Sequence, residues 1–108
     1  MKQKDICFAD LNPTKGREQS GVRPVVVISN NTLNDNLDIC IVCPLTSQKK
    51  GYAGTVLIPK NTTNGLSLDS EVMTFQVRAI SKDRLFNKSG SVSNAQLKEI
   101  IEALNDMF

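Results

Sequence analysis

Apolar residues fall in five short runs, at 6–11, 22–29, 37–46, 54–59 and 68–80, separated by the turn-rich segments NPTKGREQSG, NNTLNDN, SQKKGYA and KNTTNG. Runs of this length and spacing predict a mostly antiparallel small barrel. After Gly90 the period changes. In SNAQLKEIIEALNDMF the apolar residues Leu97, Ile100, Ile101 and Leu104 stand at i, i+3, i+4 and i+7, the spacing of an amphipathic helix. Ser93 followed by Gln96 supplies a capping box at its start. The expected architecture is therefore mainly β, a small antiparallel barrel closed or backed by one C-terminal helix.

Within the run at 68–80, strand alternation places Glu71, Met73, Phe75 and Val77 on one face and Val72, Thr74, Gln76 and Arg78 on the other. Repeats, low-complexity tracts and linker-like stretches are absent, and 108 residues suit a single domain spanning 1–108. No apolar run reaches the length of a membrane span, and the charged N-terminus MKQKDICFADLNP does not resemble a signal peptide, so a cytoplasmic location is expected.

Thirteen Lys and Arg against eleven Asp and Glu leave a net charge of only +2, too small for a polycation that holds nucleic acid by charge alone. The distribution carries more information than the sum. Residues 12–24 carry +2, 47–60 carry +3 and 78–88 carry +3, while the segments between and after them are acidic. The complete lack of histidine excludes Ser-His-Asp and Cys-His nucleophilic sites, paired-His nucleases and His-ligated metals. Three cysteines remain. Cys40 and Cys43 form a CxxC, but inside the strand-like run ICIVCPL their side chains point to opposite faces and lie beyond disulfide reach. Buried thiols are the expected outcome, with neither a redox pair nor a metal site.

Two polar clusters remain for chemistry. The first, Gly16-Arg17-Glu18-Gln19-Ser20-Gly21-Val22-Arg23-Pro24, has the GxxxxG spacing of a phosphate loop but continues Val-Arg, and no helix pattern follows, which excludes a nucleotide P-loop. It reads as a glycine-hinged loop that brings Glu18 near Arg23. The second, Thr46-Ser47-Gln48-Lys49-Lys50-Gly51-Tyr52, follows another apolar strand and offers hydroxyls, cations and the single tyrosine. A surface Arg-Glu pair on a solvated hairpin explains the first cluster alone. The two together match what binds a phosphodiester without a metal: hydroxyl, guanidinium and carboxylate.

The segments ADLNPTKGREQSGVRPVVVISN, VCPLTSQKKGY and DSEVMTFQVRAISKDRL, with the C-terminal helix, closely resemble the MazF/PemK/Kid family of toxin endoribonucleases over nearly the whole chain. The resemblance implies an SH3-like barrel of the CcdB/MazF type, a homodimer, and metal-independent, sequence-selective cleavage of single-stranded RNA, messenger RNA in particular. It also implies restraint by a cognate MazE-like antitoxin, with no cofactor and no membrane partner. Carried onto this chain, it gives Arg23, Thr46 and Glu18 as the catalytic set. Lys15, Arg17, Gln19, Ser47, Gln48, Lys49, Lys50, Phe75 and Arg78 are the expected RNA contacts. The expected chemistry is attack of the 2′-hydroxyl on phosphorus, leaving a 2′,3′-cyclic phosphate and a 5′-hydroxyl.

Two departures stand out. Relatives usually have glycine where this chain has Lys4, and they often have an acid where it has Phe75. An aromatic in a strand is ordinarily core, so Phe75 either packs inward or has become a stacking platform for a base. The alternative from another class is a non-enzymatic poison resembling the CcdB gyrase inhibitors, and the presence of Glu18, Arg23 and Thr46 argues against it.

Overall fold

β-branched residues recur through the second and third apolar runs, and both runs become strands, as a pleated and buried surface favours. The computed structural model describes residues 1–12, 16, 21–49 and 51–108. Lys15, Arg17, Glu18, Gln19 and Lys50, all expected at the site, lie outside the described residues. The strands are β1 (Asp5–Asp10), β2 (Val22–Val27), β3 (Ile39–Thr46), β4 (Val56–Ile58), β5 (Ser70–Val72), β6 (Arg78–Ser81) and β7 (Leu85–Ser91). Among the described residues every pairing is antiparallel, in the order β4-β5-β3-β2-β1-β7, with β6 also paired to β3. The result is a half-barrel backed by a C-terminal helix, the class the sequence predicts.

Alternation along the central strands divides the core into two layers. Val26 and Ile28 of the β2 run, with Cys43 and Leu45 of β3, face one layer; Val25 and Val27, with Cys40 and Val42, face the other. The helix α2 (Asn94–Asn105) covers the first layer with Leu97, Ile100, Ala103 and Leu104, whereas Ile101 is half-buried outside that cluster. Ile100 is fully buried, which contributes roughly 1.5–3 kcal/mol. The capping box forms as expected: Gln96 N–H donates to Ser93 Oγ at 3.1 Å and Ser93 N–H to Gln96 Oε1 at 2.9 Å.

Cys40 and Cys43 lie on opposite faces of β3, and with Cys7 they are buried free thiols. Burial raises all three, Cys7 to about 11 and Cys43 to about 12. Each thiol thus keeps its proton longer when folded than when unfolded. The stability this gives is complete below the ordinary thiol range and is lost as pH rises through the folded values. Ellman's reagent at pH 8 should therefore leave the native thiols unmodified and titrate three per chain in denaturant, and the melting temperature should fall as pH rises above 9. Rapid reaction of a thiol in the native protein would contradict their burial.

Three local features depart from the sequence reading. The turn-rich NNTLNDN contains a short helix, α1 (Asn31–Asn36), capped by Asn30, whose side chain accepts from Leu33 N–H at 2.9 Å. The run at 68–80 is interrupted: β5 ends at Val72, a 3-10 turn covers Thr74–Gln76, and β6 begins at Arg78. β7 was not among the apolar runs, because its sequence LFNKSGS is half-exposed edge. Lys4, the departure from the family pattern noted in the sequence, has φ +80°, a left-handed conformation that costs a side-chain-bearing residue about 1–2 kcal/mol. Hydrogen bonds from Lys4 N–H to the Val27 carbonyl (2.8 Å) and from Val92 N–H to the Lys4 carbonyl (2.9 Å) hold it there.

Candidate active site

Arg23 projects from β2 beside the chain that enters it from the first polar cluster. That segment is closed at its base: Leu11 N–H donates to the Gly21 carbonyl at 2.9 Å and Gly21 N–H to Asn12 Oδ1 at 3.2 Å. Gly21 has φ +75°, so the turn into β2 requires glycine. Thr46 ends β3, where its Oγ1 accepts from Gln48 N–H at 3.1 Å. This bond occupies a lone pair of the hydroxyl and leaves its hydrogen to donate elsewhere.

Arg23 and Thr46 are both half-buried, and both line two adjoining clefts. The larger, about 610 Å³, is completed by Gln48, Tyr52, Ala53, Thr55, Glu71, Met73, Phe75 and Gln76. The smaller, about 410 Å³, carries Phe8, Pro24, Ser47, Leu66, Leu68 and Ser70 among its walls. A guanidinium and a hydroxyl therefore stand at the junction of two concave spaces, each within the size range of small-ligand sites.

The wall of the larger cleft is stitched together from segments far apart in sequence. Thr55 donates from both N–H (3.3 Å) and Oγ1 (2.9 Å) to the Tyr52 carbonyl, and Thr74 Oγ1 donates to the Gly54 carbonyl at 2.6 Å. The loop at 51–55 is thereby fixed against the 3-10 turn. Tyr52 and Phe75 meet edge to face, with ring centroids 5.7 Å apart and planes at 74°. Phe75 is 42% exposed and is therefore not core. The expected face of Glu71, Met73 and Phe75 does line this cleft, but the 3-10 turn adds Gln76, which alternation had placed opposite, and Val77 turns to the first core layer.

The other expected contacts are spread more widely. Ser47 lines the smaller cleft and Gln48 the larger, whereas Lys49 is exposed and lines neither. Arg78 is not brought to either cleft: its Nη1 donates to the Leu11 carbonyl at 3.3 Å. Its neighbours in the third basic block do similar structural work. Arg84 Nη1 donates to the Asn12 carbonyl at 2.7 Å, Lys82 Nζ to the Asn34 carbonyl at 2.7 Å, and Lys88 pairs with Asp5 at 3.1 Å. Arg78 and Arg84 brace the end of β1 at the foot of the first polar cluster.

Glu71 was not named among the expected site residues, although strand alternation put it on the same face as Phe75. It is 5% exposed, lines the larger cleft and faces Thr46 directly across the β3–β5 ladder. The sequence signals were that shared face and a carboxylate inside an otherwise apolar run. Among the described residues, no group of three or more Cys, Asp and Glu side chains is arranged to hold a metal ion, and no helix is long and apolar enough to cross a membrane.

Comparison with known proteins places these features in context. The family model described as the PemK-like, MazF-like toxin of type II toxin-antitoxin systems matches residues 2–108. The chain is 34% identical over 106 residues to the endoribonuclease MazF of Staphylococcus saprophyticus, covering 97% of this chain and 88% of that one. The fold is similar to crystalline MazF from Deinococcus radiodurans, with TM-score 0.87, 23% identity and coverage of 99% and 94%. It is also similar to a mycobacterial endoribonuclease in complex with its cognate antitoxin, with TM-score 0.80, 21% identity and coverage of 98% and 92%.

Proposed function

The chain belongs to the PemK-like, MazF-like toxin family of type II toxin-antitoxin systems, and on that footing we propose that it is an endoribonuclease that cuts single-stranded RNA between the two clefts. The observation that carries this reading is the shared position of Arg23 and Thr46, which line both clefts at once. A phosphodiester at that junction leaves one nucleotide to each side.

In the proposed reaction the ribose 2′-oxygen forms a bond to the adjacent phosphorus while the bond from phosphorus to the 5′-oxygen breaks. The 2′-hydroxyl proton goes to a base, and the departing 5′-oxygen takes a proton. The products are a 2′,3′-cyclic phosphate and a 5′-hydroxyl. Arg23 neutralises charge on the non-bridging oxygens, because a guanidinium holds its proton too firmly to serve as a carrier at neutral pH. Thr46 donates its free hydroxyl hydrogen to the same oxygens. Glu18, five residues before Arg23, is the assigned base. No histidine is present, and no step calls for a metal.

In this reading two copies pair, and the antitoxin lays an acidic segment over the basic loops at 12–24 and 47–60, competing with RNA for the same cations. The test is incubation of purified protein with long RNA in EDTA, followed by sequencing of the cut ends. Cleavage should persist and leave 5′-hydroxyl ends. Strict dependence on magnesium, or intact RNA, would exclude the proposal.

A further inference from the structure

Glu71 is a buried carboxylate with too few partners. Among the described residues, the only hydrogen bond its carboxylate accepts comes from Gly51 N–H, to Oε1 at 3.2 Å, although the residue is only 5% exposed. A carboxylate has about four lone-pair sites, and leaving them unfilled away from water is costly. A ligand that brings N–H donors into this cleft offsets that cost. The surroundings specify the kind of ligand: Tyr52, Met73 and Phe75 supply flat or apolar walls and Gln76 an amide, in the cleft that also holds Arg23 and Thr46. Flat walls with a polar edge suit a nucleobase splayed out of a single strand.

Resting on the endoribonuclease reading, we propose that Glu71 sets base specificity by accepting hydrogen bonds from the Watson–Crick edge of a guanine next to the scissile phosphate. Guanine alone presents two adjacent donors, N1–H and the N2 amine, which match the two carboxylate oxygens. Uracil presents one N–H between two carbonyls. Adenine and cytosine set a ring nitrogen acceptor beside their amine. In those three bases an acceptor lone pair faces the carboxylate, so rejection of the wrong base reinforces attraction to the right one. The Gly51 N–H bond fixes the orientation of the carboxylate before RNA arrives. Glu71 lies on β5 opposite Thr46, so the base it reads is one attached to the reacting phosphate.

The test uses the intact protein with an RNA library randomised around the cut, and then with single substrates carrying guanosine or inosine. Wild type should favour guanine over uracil at one position flanking the cut, by at least about fivefold. Inosine, which lacks the N2 amine, should lower kcat/KM at that position with no change to the protein. Glu71→Gln should erase the guanine preference there and leave the rest of the cleavage motif unchanged, with circular dichroism confirming the fold. Three results would overturn the assignment: no guanine preference on either side of the cut, equal rates for inosine and guanosine, or a Glu71→Gln variant slowed equally at all sequences. The last would make Glu71 part of the proton-transfer machinery. If folded wild type cuts no RNA, the endoribonuclease reading itself fails, and this assignment with it.

Discussion

Arg23→Ala is expected to lower kcat for RNA cleavage by about 10²–10³-fold, the loss measured when a preorganised donor to a developing oxyanion is removed. The size follows from position. Arg23 sits at the junction of the two clefts, half-buried, where water screens a guanidinium less than at a free surface. The effect should fall on kcat more than on KM, because charge builds on the non-bridging oxygens in the transition state and is weaker in bound substrate. Arg23→Lys should recover only part of the rate, since an ammonium restores the charge but not the planar fork of donors. The melting temperature should change little, because the core layers on both sides of β2 are formed by Val25, Val26 and Val27. Single-turnover rates with a defined RNA, alongside thermal melts, provide the check. Full activity in the alanine variant, or a loss explained by unfolding, would remove Arg23 from its proposed role.

Features decided by neighbours in sequence were legible in the chain. The helix α2 and its Ser93–Gln96 cap need only contacts three and four residues apart, and the opposite faces of Cys40 and Cys43 need only the two-residue period of a strand. The short helix α1 had its Asn30 cap in plain view, but Leu33 is its one apolar residue, too few to show a period. The break after Val72 was hidden for another reason. It depends on Thr74 Oγ1 reaching the Gly54 carbonyl twenty residues earlier in the chain.

The same distinction runs through the site. Arg23 and Thr46 stand next to sequence features that mark loop-to-strand junctions, so both were visible. Glu71 belongs to the cleft only because β5 pairs with the end of β3 and sets it against Thr46, a register that no local pattern reports. Arg78 stands apart from the site: the resemblance made it an expected RNA contact, and in the fold it lines neither cleft and its Nη1 donates to the Leu11 carbonyl. The third basic block is occupied with main-chain carbonyls and Asp5, contacts that its local sequence does not announce.

Phe75→Leu is expected to raise the dissociation constant for a non-cleaved single-stranded RNA by about 5- to 150-fold, the equivalent of about 1–3 kcal/mol for one lost base–aromatic stack. Phe75 is 42% exposed on the 3-10 turn and meets Tyr52 edge to face, so part of the ring remains accessible to a base while Tyr52 supports it. Leucine keeps apolar bulk but has no π-face, which makes the substitution a test of stacking rather than of size. The stability cost should be small: an aromatic pair is worth about 0.5–1.5 kcal/mol beyond its buried area, and this one is partly solvated. Tyr52→Leu should weaken binding in the same direction by releasing the support, and the double variant should lose less than the sum of the two, because the rings act as one unit. Since every base has a π-face, the loss should be similar for guanine- and uracil-containing strands, in contrast to Glu71→Gln. Fluorescence anisotropy with strands of each base, paired with thermal melts, reads both quantities. A marked fall in melting temperature with RNA affinity unchanged would place Phe75 among the packing residues, without a binding role.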